Sequence, residues 1–161
     1  MSTINRIESA LQEMDGGAFQ KLADTYLYNK GYTQLNPLGS VIGSNKVRTG
    51  TPDTFAILPN GKYMFAEHTT TKQKNPVQKL KDDLAKCFDE SKTGVPLSKI
   101  EEIVFCFNFH LSVSDTNEIA EECRNHGVNV NFYGIGPISQ DLYHSFPGIA
   151  RELLNIEVDT L

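Results

Sequence analysis

Cysteine is scarce in this chain, and its spacing is uninformative for a metal or redox motif. Three residues, Cys87, Cys106 and Cys123, are odd in number and far apart, and no C-x-x-C pair exists. That excludes a zinc ribbon or a thioredoxin-type centre and predicts reduced thiols packed in the interior. Long apolar runs are missing as well. Nothing approaches the ~20 residues that span a bilayer, which excludes a helical membrane span. The opening stretch MSTINRIESALQEMDG is polar and carries acids, unlike a signal or transit peptide, so a cytoplasmic location is expected. There is no G-x-S-x-G elbow to present a hydrolase nucleophile. Gly134-Ile135-Gly136-Pro137 lacks the spacing of a dinucleotide fingerprint and reads as a tight βα turn. Positive charge is in deficit, with 15 Lys+Arg against 20 Asp+Glu and a net charge of -5. A protein that coats nucleic acid by bulk charge does not have that balance.

What is present is enough for one ordinary domain: 161 residues, of which 39% are hydrophobic. Helical periodicity covers 3–14, where Ile4, Ile7, Leu11 and Met14 recur behind Ser2 or Thr3 as a cap. A second helix over about 17–30 ends at Gly31. Residues 32–37 are short and strand-like, and 38–52 read as a loop. Strands over 54–58 and 62–71 flank Pro59-Asn60-Gly61, a turn signal. A helix is expected over about 76–91, then a strand at 103–109 that is apolar on both faces. A helix over 114–126 is expected to start at Ser114 or Asp115 and to end at Gly127. A strand over 128–133 and helices around 138–145 and 148–154 complete the chain. The hairpin followed by alternating helices and strands predicts an α/β class with a mixed central sheet.

The segment from Gly50 to Lys74 carries the chemistry. Asp53 follows Pro52 just before the first hairpin strand, and Glu67 sits inside the second, among apolar neighbours. A carboxylate there is costly to bury unless it is paired or binds a cation. Two carboxylates from adjacent strands can converge on one point and hold a hard cation such as Mg²⁺. The plainer alternatives are a lysine partner for Glu67 at a sheet edge and a turn-capping role for Asp53. Charge placement weighs toward function. From Lys46 to Lys81 there are seven bases and only two acids, Asp53 and Glu67, so this window nets +5 and the remainder -10. Lys46 and Arg48 precede Asp53 in a loop suited to gripping a phosphate backbone. His110, His126 and His144 have no ligand spacing and receive no role.

Helix, Pro-Asp strand (GTPDTFAI), motif strand (MFAEHTTTK) and further βα units together resemble the PD-(D/E)XK, restriction-endonuclease-like nuclease superfamily. The resemblance covers most of the chain and implies a three-layer α/β/α sandwich. It implies that Asp53 and Glu67 bind Mg²⁺, for which Mn²⁺ can substitute, with the backbone carbonyl of His68 completing the site. Family members place a lysine two residues after the Glu, where this chain has Thr69. Lys72 or Lys74 at the strand end, or Lys79 on the next helix, are the replacements to consider, with Lys72 needing a bend after Thr71. Mrr-like members carry a Gln or Glu in a helix reading G-x-x-F-E/Q; Gly16-Gly17-Ala18-Phe19-Gln20 fits, and Gln20 would orient the attacking water or touch the phosphate. The implied activity is Mg²⁺-dependent DNA hydrolysis leaving a 5′-phosphate and a 3′-hydroxyl, with Lys46, Arg48, Lys74 and Lys79 on the DNA. The alternative is a degenerate member that binds nucleic acid or a protein partner without cutting. The closing stretch PGIARELLNIEVDTL resembles the exit from nuclease effectors of bacterial STAND-type defence proteins. That implies a module cut from a longer chain and activated by homo-oligomerisation.

Overall fold

A computed structural model of the chain describes residues 1–38 and 52–159. Lys46 and Arg48 lie outside the described residues. Helix α1 (Thr3–Gln12) starts where the Ser2 side chain accepts the Asn5 N–H at 3.2 Å. Asp15 does the same for α2 (Gly16–Asn29), taking the Ala18 N–H at 2.8 Å. Gly31 then turns the chain at φ +109°, a conformation that favours glycine.

Five strands form one mixed sheet in chain order: β1 (Asn36–Pro37), β2 (Thr54–Ile57), β3 (Tyr63–Thr69), β4 (Ile100–Phe107) and β5 (Asn129–Tyr133). The first three pair antiparallel. β3, β4 and β5 pair parallel, so each link between them needs a crossover. The first crossover carries α3 (Pro76–Cys87), the short α4 (Glu90–Thr93) and a 3₁₀ turn at Leu97–Lys99; the second carries α5 (Val113–Asn125). Helices α6 (Ile135–His144) and α7 (Pro147–Leu154) follow β5.

Strand alternation divides the core in two. Met64 and Ala66 of β3, with Val104 and Cys106 of β4, pack under α1, α2, α6 and α7. Phe65, Ile103, Phe105 and Phe107 point the other way, against Leu80 and Leu84 of α3 and Ile119 of α5. Helices therefore cover both faces of the sheet, as the doubly apolar β4 requires. All three cysteines are buried and free. No helix among the described residues is long and apolar enough to cross a membrane.

Several boundaries differ from the sequence expectation. β3 stops at Thr69, and α3 at Cys87, after which Asp89 caps the separate α4 through the Ser91 N–H. α5 is capped by Ser112, not Ser114 or Asp115, because Ser112 Oγ takes the Asp115 N–H at 3.0 Å. Gly134 is the N-cap of α6 and Pro137 lies in its first turn, so the expected loop is the helix start. Proline is tolerated there because first-turn N–H groups lack helical partners anyway.

Gly134 is fixed by packing. Its φ of -82° suits any residue. A Cβ there would lie 2.6 Å from Cε2 of the buried Phe107. Gly134→Ala is expected to cost about 1–3 kcal/mol through overpacking. Thermal melting checks this, at about 2–4 °C per kcal/mol for a chain of this size.

Candidate active site

Asp53 is the residue before β2, and the pairing of Thr54 with Ala66 continues to set it opposite Glu67. Phe55 on β2 and Phe65 on β3 both pack in the α3-side core. By the two-residue alternation of strands, Asp53 and Glu67 face α3 as well. Asp53 is held on three sides. Its Oδ2 accepts the His68 N–H at 2.8 Å, and its backbone carbonyl accepts the Leu38 N–H at 2.7 Å and the Gln20 Nε2 at 3.3 Å. Glu67 is 2% exposed, and its Oε1 accepts from Cys87 Sγ at 3.4 Å. Burial is the main force pushing the Glu67 carboxyl well above the usual carboxylate range. The neighbouring charges of Asp53 and Asp83 and a hydrogen bond to Asp53 push the same way, and Cys87 opposes them.

The opposite wall is one stripe of α3. Lys79, Asp83 and Cys87 recur at every fourth residue and so share a face. Lys79 Nζ lies 2.6 Å from Asp83 Oδ2, and Asp83 is buried. Burial alone would lower the Lys79 ammonium, but Asp83, then Asp53 and Glu67, raise it. Burial raises Asp83, outweighing the help of Lys79. Three carboxylates thus face one ammonium, a formal excess of two negative charges. A proton on the buried Glu67 relieves part of that excess, and a divalent cation would remove all of it.

On the far side of the sheet lies a second polar group. Asp24, one turn after Gln20 on α2, receives the His68 ring Nε2 at 2.9 Å and the Thr54 hydroxyl at 2.9 Å. Burial lowers the His68 imidazole, but the Asp24 carboxylate outweighs this and raises it well above the usual histidine value. His68 therefore uses its two ends differently: its ring ties β3 to α2, and its peptide N–H ties Asp53 to β3. Buried atoms without a hydrogen-bond partner include His68 Nδ1 and Thr69 Oγ1.

The fold thus brings together Asp53, Glu67, Gln20 and Lys79. Gln20 is buried rather than solvent-facing, and its amide reaches the Asp53 carbonyl. The His68 side chain points away from the carboxylate pair. Lys72 and Lys74 are exposed beyond the end of β3 and form no ion pair among the described residues. Asp83 and Cys87 were not singled out from the sequence as site residues. The signal for them is the four-residue spacing from Lys79, which interleaves with the apolar pair Leu80 and Leu84. Asp24 carries the same kind of signal, four residues after Gln20.

A cleft of about 210 Å³ opens along α3 beside this group, lined by the bases Lys74, Lys79 and Lys86 and by the acids Asp82 and Asp83. It is too small for a drug-sized ligand, whose pockets run from ~300 Å³. Among the described residues no cluster of three or more His, Cys, Asp or Glu side chains is arranged as a metal cage. Magnesium does not need one, because it binds through one or two carboxylates and keeps several waters or phosphate oxygens. No family model, curated protein or solved structure matches this chain.

Proposed function

We propose that the chain is a restriction-endonuclease-like domain of the PD-(D/E)XK type that hydrolyses DNA phosphodiester bonds with Mg²⁺, or Mn²⁺ in its place. The observation that carries this reading is the Asp53–Glu67 pair on one sheet face, with the Lys79 ammonium in the field of both. The donor set fits a hard divalent ion: carboxylate oxygens in a site formally two charges too negative. Bound there, Mg²⁺ supplies Lewis-acid polarisation of the phosphate and activation of a water.

The chain's own residues do the rest. Asp53 and Glu67 hold the ion, and Gln20 and the His68 N–H fix Asp53. Lys79, coming from α3 instead of the strand, supplies the positive charge that the family takes from the position of Thr69. An ammonium fixed where negative charge builds on a phosphoryl group stabilises the transition state without reorganising. Lys74 and Lys86 flank the cleft and can hold neighbouring phosphates of the strand.

The test is incubation of the protein with plasmid DNA and Mg²⁺ or Mn²⁺, beside a chelator control and Asp53→Ala. Nicking that needs the metal and vanishes in Asp53→Ala supports the reading. A second reading, a nuclease fold that binds DNA without cutting it, is favoured by Thr69 at the motif lysine position. It predicts salt-sensitive DNA binding and no cleavage with either ion. Activation by oligomerisation within a longer defence protein stays part of the proposal, resting on the sequence resemblance alone.

A further inference from the structure

Each carboxylate of the pair has one oxygen already taken by a donor from outside the pair. Asp53 Oδ2 is held by the His68 N–H at 2.8 Å, and Glu67 Oε1 by the Cys87 thiol at 3.4 Å. Asp53 lies close enough to Glu67 for its charge to help raise the Glu67 carboxyl. A thiol is the only side-chain donor to Glu67 from α3, because Lys79 is turned to Asp83. Cys87 itself is fully buried at the end of α3, where Leu84 and Phe88 anchor that turn in the core. Its position is therefore set by packing, as a group that orients another must be.

We propose that Cys87 is a positioning residue for Glu67. Its S–H holds Oε1 and so fixes the rotation of the Glu67 carboxyl, which sets how Glu67 offers oxygen to a divalent cation shared with Asp53. This rests on the reading of Asp53 and Glu67 as a metal pair and adds what orients it. An ordinary core cysteine explains the burial but not the contact, since a packed thiol has no need of a carboxylate beside it and a buried carboxylate needs every donor it can find. Loss of an outer donor to a ligand costs about 10–100-fold in metal affinity or activity.

Calorimetric titration of the whole chain with Mn²⁺ tests it, with wild type, Glu67→Ala, Cys87→Ala and Cys87→Ser compared at matched folded fraction. Cys87→Ala is expected to weaken Mn²⁺ binding about 10–100-fold, and Cys87→Ser, which keeps a donor, to stay within about threefold of wild type. Cleavage should show the same ordering in the Mn²⁺ concentration for half-maximal rate, with the rate at saturating Mn²⁺ far less affected. If Cys87→Ala does not fold, Cys87→Val against Cys87→Ser makes the same comparison. Equal Mn²⁺ affinity in the donor-less variant and wild type overturns the role of Cys87 and leaves the metal pair standing. Absence of Glu67-dependent Mn²⁺ binding in wild type overturns the metal pair, and the role of Cys87 with it.

Discussion

Lys79→Met is expected to lower DNA cleavage about 10²–10³-fold, the cost of removing one fixed positive group aimed at developing charge. Lys72→Met is expected to leave cleavage within about a factor of two, since Lys72 is exposed beyond β3 whereas the Lys79 ammonium lies in the field of both carboxylates. Methionine keeps most of the lysine stem, so packing along α3 survives. One side effect needs a control. Lys79 is the ion-pair partner of the buried Asp83, and the variant leaves that carboxylate without it. Adding Asp83→Asn to Lys79→Met removes the orphaned charge and should restore melting temperature without restoring cleavage. Measured turnover and thermal melting on the three proteins separate the two roles. Full cleavage by Lys79→Met would remove Lys79 from the site.

Glu67 gives the larger and more unusual expectation. Glu67→Gln should abolish cleavage by about 10³-fold or more, because losing an anionic ligand forfeits several kcal/mol of metal-borne stabilisation at 1.36 kcal/mol per decade. The same substitution should raise the melting temperature of the metal-free protein. Burial and the charges of Asp53 and Asp83 all oppose an ionised Glu67, and the amide has nearly the same shape without the charge. Adding Mn²⁺ should stabilise wild type and not the variant, since a ligand stabilises only the state that binds it. Asp53→Asn should share the loss of cleavage. Its stability gain should be smaller, because the Asp53 carboxylate accepts the His68 N–H at 2.8 Å, a bond that a neutral amide oxygen makes more weakly. Glu67→Gln cutting at the wild-type rate would dismiss the pair as a metal site.

Activity and stability pulling in opposite directions at one residue is the mark of a site held in an unfavourable charge state for use. The α3 stripe fits that description. Asp83 is a buried acid beside two others, tolerable because Lys79 is four residues away on the same face. On the proposed function the arrangement costs stability without a cation, and a divalent cation would close its charges.

Much of the site was legible in the sequence, because strand alternation and turn chemistry are local. Asn60-Gly61 closes the β2–β3 hairpin, Gly61 takes φ +84°, and the resulting register sets Asp53 against Glu67. A charged residue inside the apolar run YMFAEHT announces itself by its cost. The G-x-x-F-Q run of α2 brings Gln20 to the Asp53 backbone. What was not legible is everything that depends on how α3 lies over β3. The helix is expected from the sequence, and Cys87 reads there as an interior thiol. Leu80 and Leu84 pack in the core, but Cys87 also donates to Glu67. Helical period alone cannot tell which flank of an apolar stripe meets a strand and which meets water.

The sequence by itself determined the α/β class, the hairpin, the carboxylate pair and a threonine, Thr69, two residues after Glu67. Each follows from neighbours within a few residues along the chain. Only the tertiary structure decided which lysine stands beside the pair, that a second buried acid, Asp83, joins Glu67, and that a thiol touches Glu67. Those interactions join residues up to 30 positions apart, Asp53 to Asp83. Their distances are fixed by the crossover from β3 to β4 and by the packing of Leu80 and Leu84 against the sheet, which no local pattern encodes.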